Sequence, residues 1–169
     1  TCPEGVLFLT QGVDCQVDRL EVSTWGWGKG EEAFLIDHVQ LWGDPHQADV
    51  WKQLQIVINQ QYEHENGTSL VPVISAIDSG GLHTPEVYQF AREKVAQGVI
   101  AIKGQSQPNK PAIGRPTRVD INFRKANKAI KKGGLVYPLG VDTIKNTLMG
   151  RLKNNKIGSN GYIHFHAGT

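Results

Sequence analysis

Three segments with strand periodicity precede the first segment with helical periodicity, and this order leaves few folds open to the chain. Val6-Leu7-Phe8-Leu9 opens an apolar run that continues through Gly12-Val13-Asp14. It reads as a largely buried strand over residues 5–16 with a carboxylate near its end. Leu20, Val22 and Thr24 then alternate with Glu21 and Ser23, the period of a strand with one solvated face. Gly26, Gly28 and Gly30 mark a turn, and residues 33–41 supply a third strand. Three strands joined by short connections form an antiparallel meander.

The period then changes. Asp44-Pro45 is a helix-start signal, and Val50, Trp51, Leu54, Val57, Ile58 and Tyr62 follow at helical spacing until Asn66-Gly67. Residues 71–77 form a compact apolar strand that ends at Asp78-Ser79-Gly80-Gly81. Thr84-Pro85-Glu86 opens a second helix with Val87, Tyr88, Ala91 and Val95 on one face, and residues 99–102 are a strand delivering Lys103 and Gly104. Residues 104–118 hold three prolines and no apolar periodicity, which reads as a long loop. Residues 119–123 are a short strand, 124–132 a basic helix, 135–141 a strand, 143–152 a last helix and 153–169 a turn with a frayed strand. The expected fold class is α/β, a mixed sheet flanked by helices in a single domain. A length of 169 residues fits one such domain.

Net charge conceals a sharp asymmetry. Residues 1–102 carry 5 Lys and Arg against 14 Asp and Glu, whereas residues 103–169 carry 13 against 2. A polyanionic partner for the second half is expected, although the two halves can also neutralise each other within the fold. No apolar run approaches the roughly 20 residues that cross a bilayer, and no signal peptide is recognisable. Two cysteines, Cys2 and Cys15, give neither metal spacing nor a disulfide framework, so a reducing, intracellular setting is expected. The first residue is Thr, so the chain is expected to be an excised fragment.

An Asp at the end of an apolar strand is costly to bury unless it is paired, hydrogen-bonded or metal-bound. Asp14 and Asp78 occupy such ends, on strands that a βαβ-like order sets side by side. Convergent carboxylates without Cys or His ligands suit Mg²⁺ or Mn²⁺, and a pair of such ions supports phosphodiester cleavage. Asp142, where a strand gives way to the last helix, is the candidate third ligand or else a helix N-cap; Asp18 is held in reserve. Asp78-Ser79-Gly80-Gly81 also fits a plain strand-ending turn. Lys103 either contacts a phosphate or is a surface lysine, and His83 either orients water or is a bystander. Arg124, Lys125, Lys128, Lys131, Lys132 and Lys145 are the candidate DNA-backbone contacts.

Several motifs in order resemble one family. They are Gly12-Val13-Asp14-Cys15-Gln16-Val17-Asp18-Arg19-Leu20-Glu21-Val22, Trp25-Gly26-Trp27-Gly28 with Glu31-Glu32, and Gly43-Asp44-Pro45 before Val50-Trp51. Ala76-Ile77-Asp78-Ser79-Gly80-Gly81, the Thr84, Val87-Tyr88, Phe90 helix, Ala101-Ile102-Lys103-Gly104 and Gly140-Val141-Asp142-Thr143-Ile144-Lys145 complete the set. Together they resemble the nuclease domain of phage terminase large subunits of the lambda-like GpA family, over nearly the whole chain.

The resemblance implies an RNase H-like fold and a two-metal endonuclease that cuts concatemeric viral double-stranded DNA during genome packaging in the host cytoplasm. It carries the acidic cluster to Asp14, Asp78 and Asp142. It also implies a terminase small subunit, a separate N-terminal ATPase domain and the portal as partners. The chain has no GxxxxGK[ST] phosphate loop, so no ATP site is expected within it. His164 and His166 share a strand face and either bind metal or form a solvated strand end. Two other classes fit the residues alone: a non-catalytic DNA-binding module, and a phosphotransfer or nucleotide-hydrolysing enzyme.

Overall fold

A computed structural model describes residues 1–123, 127–154 and 156–165. The meander forms as its periodicity requires, with β1 (Phe8–Cys15), β2 (Arg19–Trp27) and β3 (Ala33–Trp42) paired antiparallel in sequence order. Leu20, Val22, Thr24 and Gly26 of β2 are buried and the residues between them only partly so. Helix α1 (Ala48–Ile58) follows, then a small hairpin of β4 (Tyr62–Glu63) and β5 (Ser69–Leu70). Next come β6 (Pro72–Asp78), α2 (Thr84–Glu93) and β7 (Val99–Gln105). The chain closes with β8 (Thr117–Phe123), β9 (Lys128–Gly140), α3 (Val141–Leu152) and β10 (Ile163–His164).

One eight-stranded sheet runs β10-β3-β2-β1-β6-β7-β9-β8. Pairings β1–β6, β6–β7 and β7–β9 are parallel, and β8–β9 is antiparallel. The core lies on one face, where Val13, Leu20, Val22, Ile77, Val99 and Ala101 meet the stripes Val50, Trp51, Leu54, Val57, Ile58 of α1 and Val87, Tyr88, Phe90, Ala91 of α2. Helix α3 starts on the other face: a side chain at Gly104 would come within 2.9 Å of Val141 Cγ2. Its apolar stripe, Ile144, Leu148 and Leu152, stays largely exposed.

A polar chain threads the buried end of β1. Gln11 donates to Thr24 Oγ1 and to the Val57 carbonyl, both at 3.2 Å, and its Oε1 accepts the Ser75 hydroxyl at 2.8 Å. Gln11→Leu leaves the Ser75 hydroxyl and the Val57 carbonyl without this buried partner. The substitution is expected to lower stability by about 2 kcal/mol, read as a shift in the urea midpoint at constant slope.

Three local expectations are corrected. Asp44 caps a turn rather than the helix: its Oδ1 accepts the His46 N–H at 2.8 Å, and α1 begins at Ala48 with Gln47 as N-cap. Tyr62 is buried as expected, but in β4; Asn66-Gly67 turns the β4–β5 hairpin, with Asn66 Oδ1 accepting the Thr68 N–H at 2.9 Å.

The third correction is the largest. No helix spans residues 128–132; these open β9, paired with β8 through Ile121 and Ile130. Lys132 adopts φ 49°, and its N–H donates to Asp120 Oδ1 at 2.7 Å, fixing a bulge there. Ile121 is fully buried against the core, an anchor that a helix over this segment would forgo. Arg124 and Lys125, also in that expectation, lie outside the described residues.

The loop before β8 is stitched to the end of β9. Gly140 donates to the Pro111 and Ala112 carbonyls at 3.1 and 3.2 Å, Gly114 donates to the Pro138 carbonyl at 2.8 Å, and Thr143 Oγ1 donates to the Lys110 carbonyl at 2.5 Å. Among the described residues no helix is long and apolar enough to cross a membrane.

Candidate active site

Strand register brings two acids together. Val13 of β1 pairs with Ile77 of β6 in a parallel ladder, so Asp14 and Asp78 are the next neighbours at the C-terminal ends of the two strands. Val13 and Ile77 are buried on the helix-covered face, and alternation turns both acids to the opposite face. Adjacent strands lie roughly 4.8 Å apart, which sets the spacing of the two backbones. Asp14 Oδ2 accepts Gln16 Nε2 at 2.5 Å, and Asp78 Oδ1 accepts the Gly80 N–H at 2.9 Å. Each acid therefore holds one oxygen in a local bond, which fixes its orientation. Ser79 tethers the following loop to β7, its N–H and hydroxyl both donating to the Ile102 carbonyl, and Thr84 Oγ1 closes the loop onto the Ser79 carbonyl at 2.7 Å.

Glu21 is the carboxylate that sequence reasoning undervalued. It is the register partner of Asp14 across the antiparallel β1–β2 pair, so Glu21, Asp14 and Asp78 form a row across three strands. Arg19 binds Glu21 at 2.7 Å and Asp18 at 2.9 Å. Asp18 lies in the turn, where the Gln16 N–H donates to the Arg19 carbonyl, so the strand alternation that would align it with Asp14 is broken. Only the antiparallel register, which depends on the turn length, reveals Glu21.

The remaining candidates sit further out. Asp142 is exposed in the first turn of α3, whose N-cap is Gly140, and β9 is two strands from β6. Among the described residues neither Asp14, Asp78 and Asp142 nor Asp14, Asp78 and Glu21 bring one oxygen each within 4.8 Å of one another. Strand β7 continues past Lys103 to Gln105, and Asp78 is registered with Ile102, so Lys103 alternates onto the face opposite the acids. Lys128, Lys131 and Lys132 are exposed on β9, the latter two lining a hollow with Arg118 of β8, and Lys145 is exposed on α3. His164 is half-buried, bonded to Glu32 Oε1 at 2.6 Å and stacked on Phe34; His166 lies outside the described residues.

His83 is the N-cap of α2, at the end of the loop that follows Asp78. It is buried and packs edge-on to His46 with ring centroids 4.4 Å apart. Burial and then His46 hold its pKa below the usual histidine value, against the opposing pull of Glu86, Asp44 and a backbone hydrogen bond with Gln16. Cys15 registers the local negative charge most directly: burial, then Asp14, Asp78 and Glu86, push its thiol up to about 12. At pH 8 its alkylation by iodoacetamide is expected to be at least about 100-fold slower in the folded, metal-free protein than in urea. Equal rates would place the thiol away from this charge.

A meander continued by parallel strands in the order β3-β2-β1-β6-β7, with helices on the crossovers, defines an RNase H-like α/β domain. Residues 1–169 match the family described as terminase large subunit gpA, endonuclease domain, and the chain belongs to that family. It is 32% identical over 151 residues to a terminase large subunit of Enterobacteria phage P21, covering 89% of this chain and 22% of that protein. It is 32% identical over 166 residues to the terminase large subunit of Escherichia phage lambda, covering 96% of this chain and 24% of that protein. The chain thus spans about a quarter of the length of the curated relatives it matches. No solved structure matches it.

Proposed function

We propose that this chain is a divalent-metal-dependent endonuclease that cuts concatemeric viral double-stranded DNA during genome packaging in the host cytoplasm. The observation that carries the reading is the pairing of Asp14 and Asp78 at adjacent parallel strand ends, on one exposed face. Their donor set is oxygen alone and leaves Asp14 Oδ1 and Asp78 Oδ2 outside the local bonds, which fits Mg²⁺ or Mn²⁺. Two such ions, when bound, activate a water and stabilise the leaving oxygen of a phosphodiester. Asp14 and Asp78 are the central ligands in this reading, and Asp142 is the third. Glu21 is the better-aligned alternative by register, its charge already balanced by Arg19.

The basic residues hold DNA by its backbone. Lys128, Lys131 and Lys132 are exposed on β9 and Lys145 is exposed on α3, and Arg124 and Lys125 are proposed from sequence alone. Lys103 reaches a phosphate only around the strand end in this scheme. The chain is read as one domain of a longer protein whose ATPase domain, small subunit and portal are its partners.

The test is cleavage of supercoiled plasmid by the 169-residue chain with Mn²⁺, Mg²⁺ or EDTA. Nicking or linearisation with metal and none with EDTA is expected. A second reading, a non-catalytic DNA-binding module, draws on the failure of the three aspartates to close within 4.8 Å. A folded chain that binds DNA but shows no cleavage with either metal would establish it.

A further inference from the structure

We propose that His46, His83 and Glu86 form a second metal site, for Zn²⁺ or a similar borderline transition ion, separate from the carboxylates at the strand ends. One ligand atom from each of the three lies within 4.8 Å of the others. His46 Nδ1 is 2.9 Å from Glu86 Oε1. His83 is 3% exposed, and both its ring nitrogens, together with Glu86 Oε2, are buried without a hydrogen-bond partner among the described residues. A buried imidazole with no better polar neighbour than the Gln16 backbone needs an explanation. A cation between the three side chains supplies a partner to Glu86 and to one His83 nitrogen at once.

The donor set decides the ion. Two imidazoles and one carboxylate suit Zn²⁺, whereas Mg²⁺ favours oxygen alone. Three protein ligands leave a fourth position, which is where the site opens: His46 and Glu86 line a groove with Gly81, Leu82, Asp120 and Phe123. That groove offers the ion an entry path and room for water. His46 Nδ1 and Glu86 Oε1 already lie closer than the spacing of about 3.3 Å between two ligands of a tetrahedral ion with bonds near 2.0 Å, and His46 is the most exposed of the three side chains.

The position gives the ion a structural task. His46 belongs to the turn before α1, His83 ends the loop that leaves Asp78, and Glu86 lies in the first turn of α2. A bound ion ties the α1 entry to the α2 entry and so braces the far end of the Asp78 loop. The site uses none of the acids proposed for cleavage, and the two readings stand or fall separately.

The experiment is metal binding by chelator-stripped protein, with Zn²⁺ followed by calorimetry and Tm, and Co²⁺ by visible absorption. One equivalent of Zn²⁺ at about micromolar Kd or tighter, a raised Tm, and the absorption of four-coordinate Co²⁺ are expected. Asp14→Ala combined with Asp78→Ala is expected to retain all three. His46→Ala and Glu86→Gln, each made in that double-aspartate variant so that the strand-end acids cannot take the ion, are expected to weaken binding at least about 100-fold, since even changes to outer-shell partners cost about 10–100-fold. His46→Ala also removes the partner of Glu86 Oε1, so a small drop in metal-free Tm with an unchanged far-UV spectrum is expected and separates lost binding from lost fold. No Zn²⁺ binding by the parent chain, binding that survives both ligand variants, or binding lost with the aspartate pair would each overturn the proposal.

Discussion

Asp14→Asn and Asp78→Asn are each expected to reduce metal-dependent plasmid cleavage at least about 1000-fold, which corresponds to roughly 4 kcal/mol of transition-state stabilisation. Asn keeps the size and one acceptor oxygen of Asp, so the local bonds with Gln16 and Gly80 can survive. What it removes is the charge that a hard divalent ion requires. Metal-free stability should move the other way or stay level, because Asp14 sits in a row with Glu21 and Asp78 and each substitution relieves like-charge repulsion. Unchanged or raised Tm together with lost cleavage distinguishes a ligand from a structural residue. Asp142→Asn and Glu21→Gln, measured in parallel, identify the third carboxylate as whichever loses more activity. Cleavage within tenfold of the parent for both Asp14→Asn and Asp78→Asn would move the site elsewhere.

Gly140→Val is expected to destabilise the protein by about 3 kcal/mol or more and to release the basic loop before β8 to proteolysis. A Cβ at this position would lie 2.5 Å from the carbonyl oxygens of both Lys110 and Pro111, too close for ordinary contact and with backbone on both sides. Neither oxygen can retreat without breaking the bonds from the Gly140 N–H or the Thr143 hydroxyl. The substitution also strikes the junction from which α3 and Asp142 start. Limited proteolysis with thermal melting checks it: a new cut among residues 106–116 and a lower Tm are expected. A parent-like melt would show that the loop is not anchored here.

The meander and the two crossovers were legible in the sequence because their signals are local. Leu20, Val22 and Thr24 alternate within one strand, and the α1 stripe repeats within one helix. The neighbourhood of Asp14 and Asp78 was expected from a βαβ-like order, and the connection through α1 carries β6 past the meander to pair parallel with β1. The β8–β9 hairpin was not legible. Its pairing joins Ile121 to Ile130 across the basic segment, and its bulge depends on a lysine at positive φ held by Asp120. Nothing in the run of lysines announces that. The start of α1 was misread because Asp44 bonds to the next turn of chain rather than to the helix. The His46, His83 and Glu86 cluster joins two distant segments and carries no spacing motif, so only the packing of α2 beside α1 exposes it.

Asp14 and Asp78 owe their separation to a ladder of main-chain hydrogen bonds, not to the shapes of their neighbours. Substitutions in the surrounding core can therefore accumulate over evolutionary time, lowering stability by degrees, while the distance between the acids hardly changes. The vulnerability is of a different kind. A single-residue insertion or deletion inside β1 or β6 turns one acid over to the helix-covered face unless a bulge absorbs it, as the register shift between Leu9 and Thr10 does. Across diverging relatives, this part of the chain should thus tolerate exchange of side chains far better than any change in strand length.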